Sequence, residues 1–329
     1  MRCVVITSVG GPEVLRVVER ADPVPAAGEI RVRVAACGVN RADLIQRRGH
    51  YPAPVGVAPD VPGLEYAGVV DSVGAGVTRW RTGERVMGLL GGGGYAELVI
   101  THADEAVRVP DAMTLEDAAA VPEAFITAHD ALVTRLHLRR GEHVLIHAVG
   151  SGVGTAALQL ARAMDATVLG TSRSADKLVR AYDLGLDRGI VAGDAWPNDV
   201  LASTDGVGVD AIVDLVGGAY LNGNLRVLAR LGRMVVVGTV GGARAEIDLG
   251  RLMRTRVTLV GTVLRARSHA EKVEATRAFE KDVLPLLESG RVRPVVDRAF
   301  PLEDAAAAHA YLESNESFGK VVLCNSTST

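Results

Sequence analysis

Cysteine is scarce in this sequence of 329 residues, which holds three: Cys3, Cys37 and Cys324. They stand far apart, so the chain has neither the spacing of a disulfide framework nor the four close cysteines of a structural zinc lobe. The eight histidines likewise show no H-E-x-x-H or other metal-ligand spacing. A sparse, odd set of thiols is typical of a reducing compartment, and we expect a cytoplasmic protein.

Long apolar runs and an excess of charge are also missing. No run approaches the roughly 18 apolar residues that a membrane-spanning helix needs, and the N-terminus lacks the apolar core of a signal peptide. A formal net charge of −3 argues against binding nucleic acid or a membrane surface through bulk charge. With 48% apolar residues, the chain has material for two hydrophobic cores. We expect a two-domain globular protein with a small-molecule partner.

The most informative local pattern is His143–Gly154, which reads HVLIHAVGSGVG. A short apolar run meets a glycine-rich turn, and helical periodicity follows. This order directs backbone N–H groups and the positive end of a helix at a phosphate. The match to G-x-G-x-x-G is imperfect, since Thr155 stands at the third glycine, and such turns also serve as plain connections. The strand before it and the strand after it favour a dinucleotide phosphate turn made of Gly150, Ser151, Gly152, Val153 and Gly154.

The first 110 residues are rich in short β-type runs punctuated by glycine and proline. A short helix is predicted at Asn40–Arg47, and a long proline-rich loop, Gly49–Gly63, follows it. A loop of that length inside a compact domain is usually functional or disordered. We expect a β-rich, antiparallel barrel whose strands are Cys3–Thr7, Val14–Glu19, Ile30–Ala36, Tyr66–Val73, Arg85–Leu89 and Tyr95–Ile100.

Beyond a helix capping box at Thr114 and Asp117, strands and helices alternate, with one helix at Ala175–Leu184. Alternation of this kind predicts an α/β, doubly wound Rossmann sheet of six parallel strands. The predicted strands are Val144–His147, Thr167–Thr171, Gly189–Val191, Ala211–Leu215, Met234–Gly238 and Thr258–Val263. The rest of the chain predicts helices at His269–Glu288 and Glu303–Glu313 and strands at Val295–Phe300 and Lys320–Leu323.

Four motifs occur together in this order: Asn40-Arg41-Ala42-Asp43, Pro62-Gly63-Leu64-Glu65, Gly83-Glu84-Arg85-Val86 and Ala148–Gly154. Over essentially its whole length the chain resembles the quinone oxidoreductase, zeta-crystallin-like branch of the medium-chain dehydrogenase/reductase superfamily. The runs Asn40–Gln46, Ala118–Glu123 and Ser151–Ala157 are most similar to the stress-inducible NADPH quinone oxidoreductases. The resemblance implies a GroES-like domain at residues 1–122 and 265–329 and an NADPH-binding Rossmann domain at residues 123–264.

Zinc alcohol dehydrogenases of this superfamily hold a catalytic metal through a cysteine and a histidine of the first domain. The corresponding positions of this chain read Asn40 and Leu64. Neither an amide nor an aliphatic side chain replaces the thiolate and imidazole that zinc requires. We predict no metal site.

The choice of cofactor depends on the residues after the second Rossmann strand. NAD enzymes usually carry an acidic residue there, whereas NADP enzymes carry a cation for the extra phosphate. This chain has Ser172, Arg173 and Ser174, then Lys177, and no acid before Asp176. Ser172, Arg173 and Lys177 therefore predict NADPH, although Ser174 as a helix cap beside two solvated cations fits the same residues.

Further cofactor contacts are implied by the resemblance alone. Relatives line or close over the nicotinamide at positions that correspond to Asn40, Thr127, Gly238, Thr239, Leu264 and Arg265, and they make a C-terminal contact at Ser317. Relatives also commonly carry a tyrosine near the adenosine, and that place here is Ala192.

In quinone reduction the hydride comes from the cofactor, so the protein has to position the substrate, keep water out of the cleft and supply a proton. Tyr51, Asn40 and Asp43 are the candidate catalytic residues, with Gln46 nearby. Tyr51 can hydrogen-bond a substrate carbonyl and donate a proton, or it is an exposed loop residue. Asn40 fixes the cofactor or caps a helix. Asp43 acts directly or orients its neighbours.

The apolar strand Thr258–Val263 ends the predicted sheet, and such an edge is either covered or paired with another copy. In the superfamily that the chain resembles, two such edges join across a two-fold axis, so the resemblance implies a homodimer.

The function implied is a zinc-independent, NADPH-dependent quinone oxidoreductase that transfers a hydride from NADPH to a quinone. One alternative is an enoyl or enone reductase, since reduction of an activated C=C bond needs the same cofactor. Another is an NADPH-binding protein without turnover.

Overall fold

The computed structural model describes residues 1–325, and its internal contacts divide the chain into two units. The first unit contains Met1–Ile126 and the described residues from Leu264 onward, and the second is Thr127–Val263. The sequence predicts these divisions after residues 122 and 264.

The first unit is built on β-strands. The strands are β1 Arg2–Ile6, β2 Leu15–Glu19, β3 Glu29–Val39, β4 Glu65–Val73, β5 Arg85–Leu89, β6 Leu98–His102, β7 Ala106–Arg108, β14 Val296–Pro301 and β15 Lys320–Cys324. β1 and β2 form an antiparallel ribbon, and the other strands form a sheet in the order β14-β15-β3-β4-β5-β7, with β6 also paired to β3. Alternate residues of β3 are buried in the core, as its period-two pattern predicts.

Short helices complete the first unit. They are α1 Arg41–Arg47, α2 Leu115–Ala118, a π-helical segment Pro122–Ile126, α9 His269–Asp282, α10 Leu284–Glu288 and α11 Ala305–Ser314, with 3-10 turns at Pro12–Val14, Ala103–Glu105 and Leu302–Asp304. Thr114 caps α2 and its Oγ1 accepts a hydrogen bond from Asp117 N, as the predicted capping box requires.

Three predictions for this unit are wrong in detail. The single helix His269–Glu288 is two helices, because Pro285 has no N–H to continue the first. The strand predicted at Tyr95 begins at Leu98. The sheet is not wholly antiparallel, since β14 and β15 run parallel, and the crossover helix α11 between them makes that direction possible.

The second unit contains the predicted six-stranded sheet, in the order β10-β9-β8-β11-β12-β13 with every pair parallel. The strands are β8 His143–Ile146, β9 Thr167–Ser172, β10 Arg188–Val191, β11 Val209–Asp214, β12 Leu228–Val236 and β13 Thr258–Gly261. β12 starts earlier than predicted, because its register with β11 shifts over a stretch that includes Leu231 at φ 67°. The fold class is confirmed.

Two helical segments precede β8, and the other helices connect the strands as α/β crossovers. In chain order the segments are α3 Thr127–His129, the π-helical segment Asp130–Arg135, α4 Gly152–Ala163, α5 Ala175–Tyr182, α6 Trp196–Ala202, α7 Leu221–Val227 and α8 Leu249–Thr255, with a 3-10 turn at Gly218–Tyr220. Within residues 1–325 none of the helices combines the length and the hydropathy that crossing a bilayer would take.

Candidate functional site

The glycine-rich turn joins β8 to α4 in the second unit and is closed by local hydrogen bonds. Ser151 is the N-cap of α4, and its Oγ accepts a hydrogen bond from Gly154 N at 3.1 Å. A Cβ on Gly154 would lie 2.4 Å from Ala148 O, so only glycine lets the helix approach the turn this closely. The first-turn N–H groups of Gly152 and Val153 have no partner inside the helix. Together with the positive end of this 12-residue helix they fit a phosphate.

The end of β9 carries the predicted phosphate-binding residues. Ser172 Oγ accepts a hydrogen bond from Ser174 N at 3.2 Å, and Ser174 caps α5. Arg173 is exposed, and its guanidinium makes no hydrogen bond or ion pair with any residue between 1 and 325. Lys177 lies in the first turn of α5 and is partly buried. Two hydroxyls and an uncommitted guanidinium match the requirements of a phosphate dianion.

A cavity of about 350 Å³, which no local pattern in the sequence predicts, opens where β10 ends. Beneath it, fully buried His147 bonds Thr171 Oγ1 at 2.8 Å and Asn224 Oδ1 at 2.6 Å. Burial lowers the pKa of His147, which keeps the imidazole neutral. The cavity is lined by Ala192, Gly193, Asp194, Trp196, Pro197, Ala219, Tyr220 and Gly223. Tyr220 thus offers an aromatic face in the same cavity as Ala192.

Asp214 ends β11 and acts as a cap. One carboxylate oxygen accepts hydrogen bonds from Val216 N at 2.7 Å and Gly217 N at 2.9 Å. The other accepts from Asn224 Nδ2 at 3.0 Å. These contacts shape the turn after the strand.

The remaining predicted cofactor contacts are divided between the two units. In the second unit, Thr127 is buried in α3, and Gly238 and Thr239 follow β12. In the first unit, Leu264 and Ser317 are both buried at 7% exposure. Each unit therefore contributes a separate part of the predicted set.

In the first unit a buried ion pair stands beside Asn40. Lys320 Nζ lies 2.6 Å from Glu65 Oε1 and 2.5 Å from Asn40 Oδ1. Asn40 Nδ2 donates to the same Glu65 oxygen at 2.9 Å and to Gly38 O at 3.4 Å. The other Glu65 oxygen accepts from Glu123 N at 2.8 Å. The Asn40 amide is thus committed to Glu65 and Lys320.

Asp43 is fully buried at the start of α1. Its carboxylate accepts hydrogen bonds from Asn40 N at 2.8 Å, Gly63 N at 3.0 Å and the Tyr95 hydroxyl at 3.1 Å. Burial raises the pKa of Asp43 to about 6, although the two backbone donors oppose that rise. Asp43 therefore ties α1 to the Pro62-Gly63 turn.

A buried polar chain extends behind Asp43. His309 Nε2 lies 2.9 Å from the Tyr95 hydroxyl, and His309 Nδ1 lies 3.1 Å from Arg47 Nη1. Arg47 also pairs with Glu313 and donates to Gly10 O at 3.1 Å. Because the guanidinium can only donate, Nδ1 accepts and Nε2 carries the hydrogen. Burial and the Arg47 charge lower the pKa of His309 to about 3.

Tyr51 is held by Arg265, a contact that the sequence did not predict. The Arg265 guanidinium lies over the Tyr51 ring, 4.7 Å from its centre, and donates to Tyr51 O at 3.1 Å. It also donates to Gln46 Oε1 at 2.6 Å and to Gly91 O at 2.7 Å. Burial and the nearby Glu123 carboxyl raise the pKa of Tyr51, so the phenol stays protonated at neutral pH.

Several functional candidates of the first unit were missed from the sequence: Glu65, Lys320, Tyr95, His309, Arg47 and Glu123. The sequence did indicate Lys320, because it directly precedes the apolar run Val321–Leu323, and a lysine buried with such a run needs a partner of opposite charge. The others come together only through the fold, and no local pattern identifies them.

Two family models match the chain in sequence. One, described as an alcohol dehydrogenase GroES-like domain, matches residues 26–111, and one, described as a zinc-binding dehydrogenase, matches residues 184–323. The second description raises the question of zinc. In the part of the chain that the structure describes, no three His, Cys, Asp or Glu side chains are grouped as metal ligands. Glu65 is already neutralised by an ammonium, so the donors around Asn40 and Leu64 do not fit zinc.

Known proteins match over nearly the whole length. The chain is 34% identical to a quinone oxidoreductase of Pseudomonas aeruginosa over 95% of this chain and 96% of that protein. It is 30% identical to the Escherichia coli quinone oxidoreductase solved with NADPH, with a TM-score of 0.89 over 98% of this chain and 100% of that one. The CurK enoyl reductase is 26% identical with a TM-score of 0.87, and the match covers 99% of each chain. This chain belongs to the medium-chain dehydrogenase/reductase superfamily of oxidoreductases, with quinone oxidoreductases among its relatives.

Proposed function

We propose that the protein is a zinc-independent, NADPH-dependent reductase of quinones. The observation that carries the proposal is a pair of hydrogen-bond donors in the first unit: the Tyr51 hydroxyl, which stays protonated, and the Arg265 guanidinium, which lies over the Tyr51 ring. Such donors stabilise a substrate oxygen that gains negative charge, and no Lewis acid is needed for that task. Similarity to two quinone oxidoreductases supports the same substrate class.

NADPH, when bound, supplies the hydride. The residues that would hold it are the phosphate turn Gly150–Gly154 with Ser172, Arg173 and Lys177, and the implied nicotinamide contacts are Asn40, Thr127, Gly238, Thr239, Leu264, Arg265 and Ser317. Arg173 is exposed and unpaired within residues 1–325, which supports NADPH over NADH. Tyr51 would orient a substrate carbonyl, while Asp43 fixes α1 and Asn40 behind it.

The first prediction is rapid oxidation of NADPH with 9,10-phenanthrenequinone, and slow oxidation with a 2-enoyl thioester. Steady-state absorbance of the reduced cofactor measures both. Turnover of the thioester alone would instead establish an enoyl reductase, for which the similarity to CurK is the supporting observation. NADPH binding without turnover of either substrate would indicate a binding protein.

The same assay tests the role of Arg173. In Arg173→Gln, loss of one charge-assisted hydrogen bond of about 1.5–3 kcal/mol should weaken NADPH binding about 10- to 100-fold and leave NADH binding nearly unchanged. Arg180→Gln on α5, the helix that follows Arg173, is the control. A preference of the wild-type protein for NADH would contradict the assignment.

We also propose a homodimer formed through the edge strand β13. Thr258 and Gly261 at its ends are exposed, and nearby apolar side chains are exposed as well: Leu249 at 60%, Met253 at 75% and Val263 at 48%. An unpaired strand edge beside exposed apolar side chains favours association with a second copy.

We expect a dimer for the wild-type protein by sedimentation, and a monomer for the variant Met253→Lys/Val263→Lys. Two introduced charges would be desolvated at the interface. Val179→Lys, on an exposed face of α5 in the same unit, should leave the dimer intact. A monomeric wild-type protein would rule out this assembly.

We further propose a cytoplasmic location. Cys3, Cys37 and Cys324 are all free thiols, which is the state that a reducing compartment maintains.

A further inference from the structure

Glu123 is an acidic side chain that none of the roles above uses. It lies in the π-helical segment Pro122–Ile126 and is partly exposed. Its backbone N–H is bonded to Glu65, so its carboxyl lies near a second acid. A π-helical segment is rare and occurs frequently at functional sites.

Three acids of the first unit share their surroundings, and they are not equally stabilised. Glu65 has the Lys320 ammonium and the Asn40 amide. Asp43 has two backbone N–H groups and the Tyr95 hydroxyl. The Glu123 carboxyl has no hydrogen-bond donor and no ion-pair partner anywhere in residues 1–325. When close carboxyls compete, the proton stays on the one whose charged form is least stabilised.

The charged groups around Glu123 support this distribution. Burial, the Glu65 charge and the Asp43 charge raise the pKa of Glu123, Lys320 and Arg265 act in the opposite direction, and the net value is about 8. Tyr51 also interacts with the Glu123 carboxyl. The pKa of Tyr51 is raised, so the phenol already carries its own proton and does not accept the one on Glu123. At neutral pH the Glu123 carboxyl is therefore neutral and holds a proton.

We propose that Glu123 stores, as a neutral carboxylic acid, the proton that the reduction consumes, and that it gives this proton to the reduced substrate. The inference rests on the proposed function. The hydride brings two electrons to the substrate and leaves an anion. An O–H bond then forms at the substrate oxygen as the Glu123 O–H bond breaks. The resulting carboxylate regains a proton from water, to which the partly exposed side chain has access. An acid with a pKa near the working pH is best suited to this exchange.

The test compares the full-length wild-type protein with Glu123→Gln, and Glu116→Gln is the matched control. Gln keeps the size of the side chain but carries no transferable proton, and Glu116 is exposed on the preceding helix. The turnover number with NADPH and 9,10-phenanthrenequinone is measured from pH 6 to pH 10. The infrared carbonyl band of protonated carboxyl groups is recorded on the same samples without cofactor.

In the wild-type protein, turnover should fall as pH rises through about 8, because Glu123 then loses its proton. Glu123→Gln should lower the turnover number by about 10²-fold or more and remove this fall, whereas Glu116→Gln should change neither. The infrared band should be strong near pH 7 in wild type and in Glu116→Gln, and most of it should be lost in Glu123→Gln, where only the small protonated fraction of Asp43 remains.

Wild-type turnover and an unchanged pH profile in Glu123→Gln would overturn the role of Glu123 and leave the proposed function standing. A carbonyl band that keeps its wild-type strength near pH 7 in Glu123→Gln would also overturn it, since another acid would then hold the proton. Wild-type protein that turns over neither quinone nor enone would overturn the proposed function and this role together.

Discussion

Replacing Lys320 by methionine is expected to lower the free energy of unfolding by about 3–5 kcal/mol, because it leaves the Glu65 charge buried without a partner. Glu65 is 0% exposed and Lys320 is 5% exposed at the side chain, so water cannot solvate the orphaned carboxylate. The Asn40 amide and the Glu123 N–H would remain as donors, and neither carries a charge. Loss of the ammonium would also release Asn40 Oδ1.

Denaturant unfolding of Lys320→Met against wild type measures this loss. Lys281→Met, an exposed lysine of α9 in the same unit, should stay within about 0.5 kcal/mol of wild type. Adding Glu65→Gln to Lys320→Met should restore most of the stability, because no buried charge then remains. Equal unfolding curves for Lys320→Met and wild type would show that water reaches Glu65 and that the pair contributes little.

The second unit could be predicted closely, because its signals are local. Each parallel strand is a short apolar run that meets a turn, and six such runs correspond to the six strands of the observed sheet. The N-cap roles of Ser151 and Ser174 follow from side chains that sit directly before helices. Errors are confined to strand ends, as at Leu228, where a register shift adds residues with little β signal.

The first unit was harder to predict, because the wrong predictions there concern how segments distant in the sequence pack together. The break between α9 and α10 had a visible signal in Pro285, which the helical periodicity on both sides outweighed. Neither β14 nor β15 carries a sequence signal for their parallel pairing. The parallel direction depends on α11, the crossover helix that connects the two strands.

The candidate site shows the same division between local and distant signals. Asn40, Asp43 and Tyr51 lie within one short stretch, so the sequence predicts them together. The partners that give them their chemistry lie far along the chain, as Lys320 does for Asn40 and Arg265 does for Tyr51. A carboxyl acquires a raised pKa from burial and from neighbours in space, so Glu123 looked in the sequence like an ordinary acid before a helix.

The Gly154→Ala variant is expected to lose most of its affinity for NADPH, at least about tenfold, and about 1–3 kcal/mol of stability. The new Cβ would lie 2.4 Å from Ala148 O and 2.7 Å from Val149 O. Both are backbone atoms of the phosphate turn, so the clash cannot be relieved by a side-chain rotation. The start of α4 must move away from the turn, and with it the N–H groups of Gly152 and Val153.

Fluorescence titration with NADPH and thermal unfolding measure the two effects on the same samples. Gly250→Ala is the matched control, since this glycine also lies in the first turn of a helix of the second unit. Its Cβ would approach only the flexible Arg254 guanidinium, at 3.1 Å, and the Asp248 carboxylate, at 3.2 Å. Alanine favours a helix over glycine, so this control should keep or slightly gain stability and bind NADPH normally. If Gly154→Ala bound NADPH as tightly as wild type, the turn would not bind the cofactor phosphates. If Gly154→Ala lost affinity and Gly250→Ala did not, the loss would follow from the displaced N–H donors.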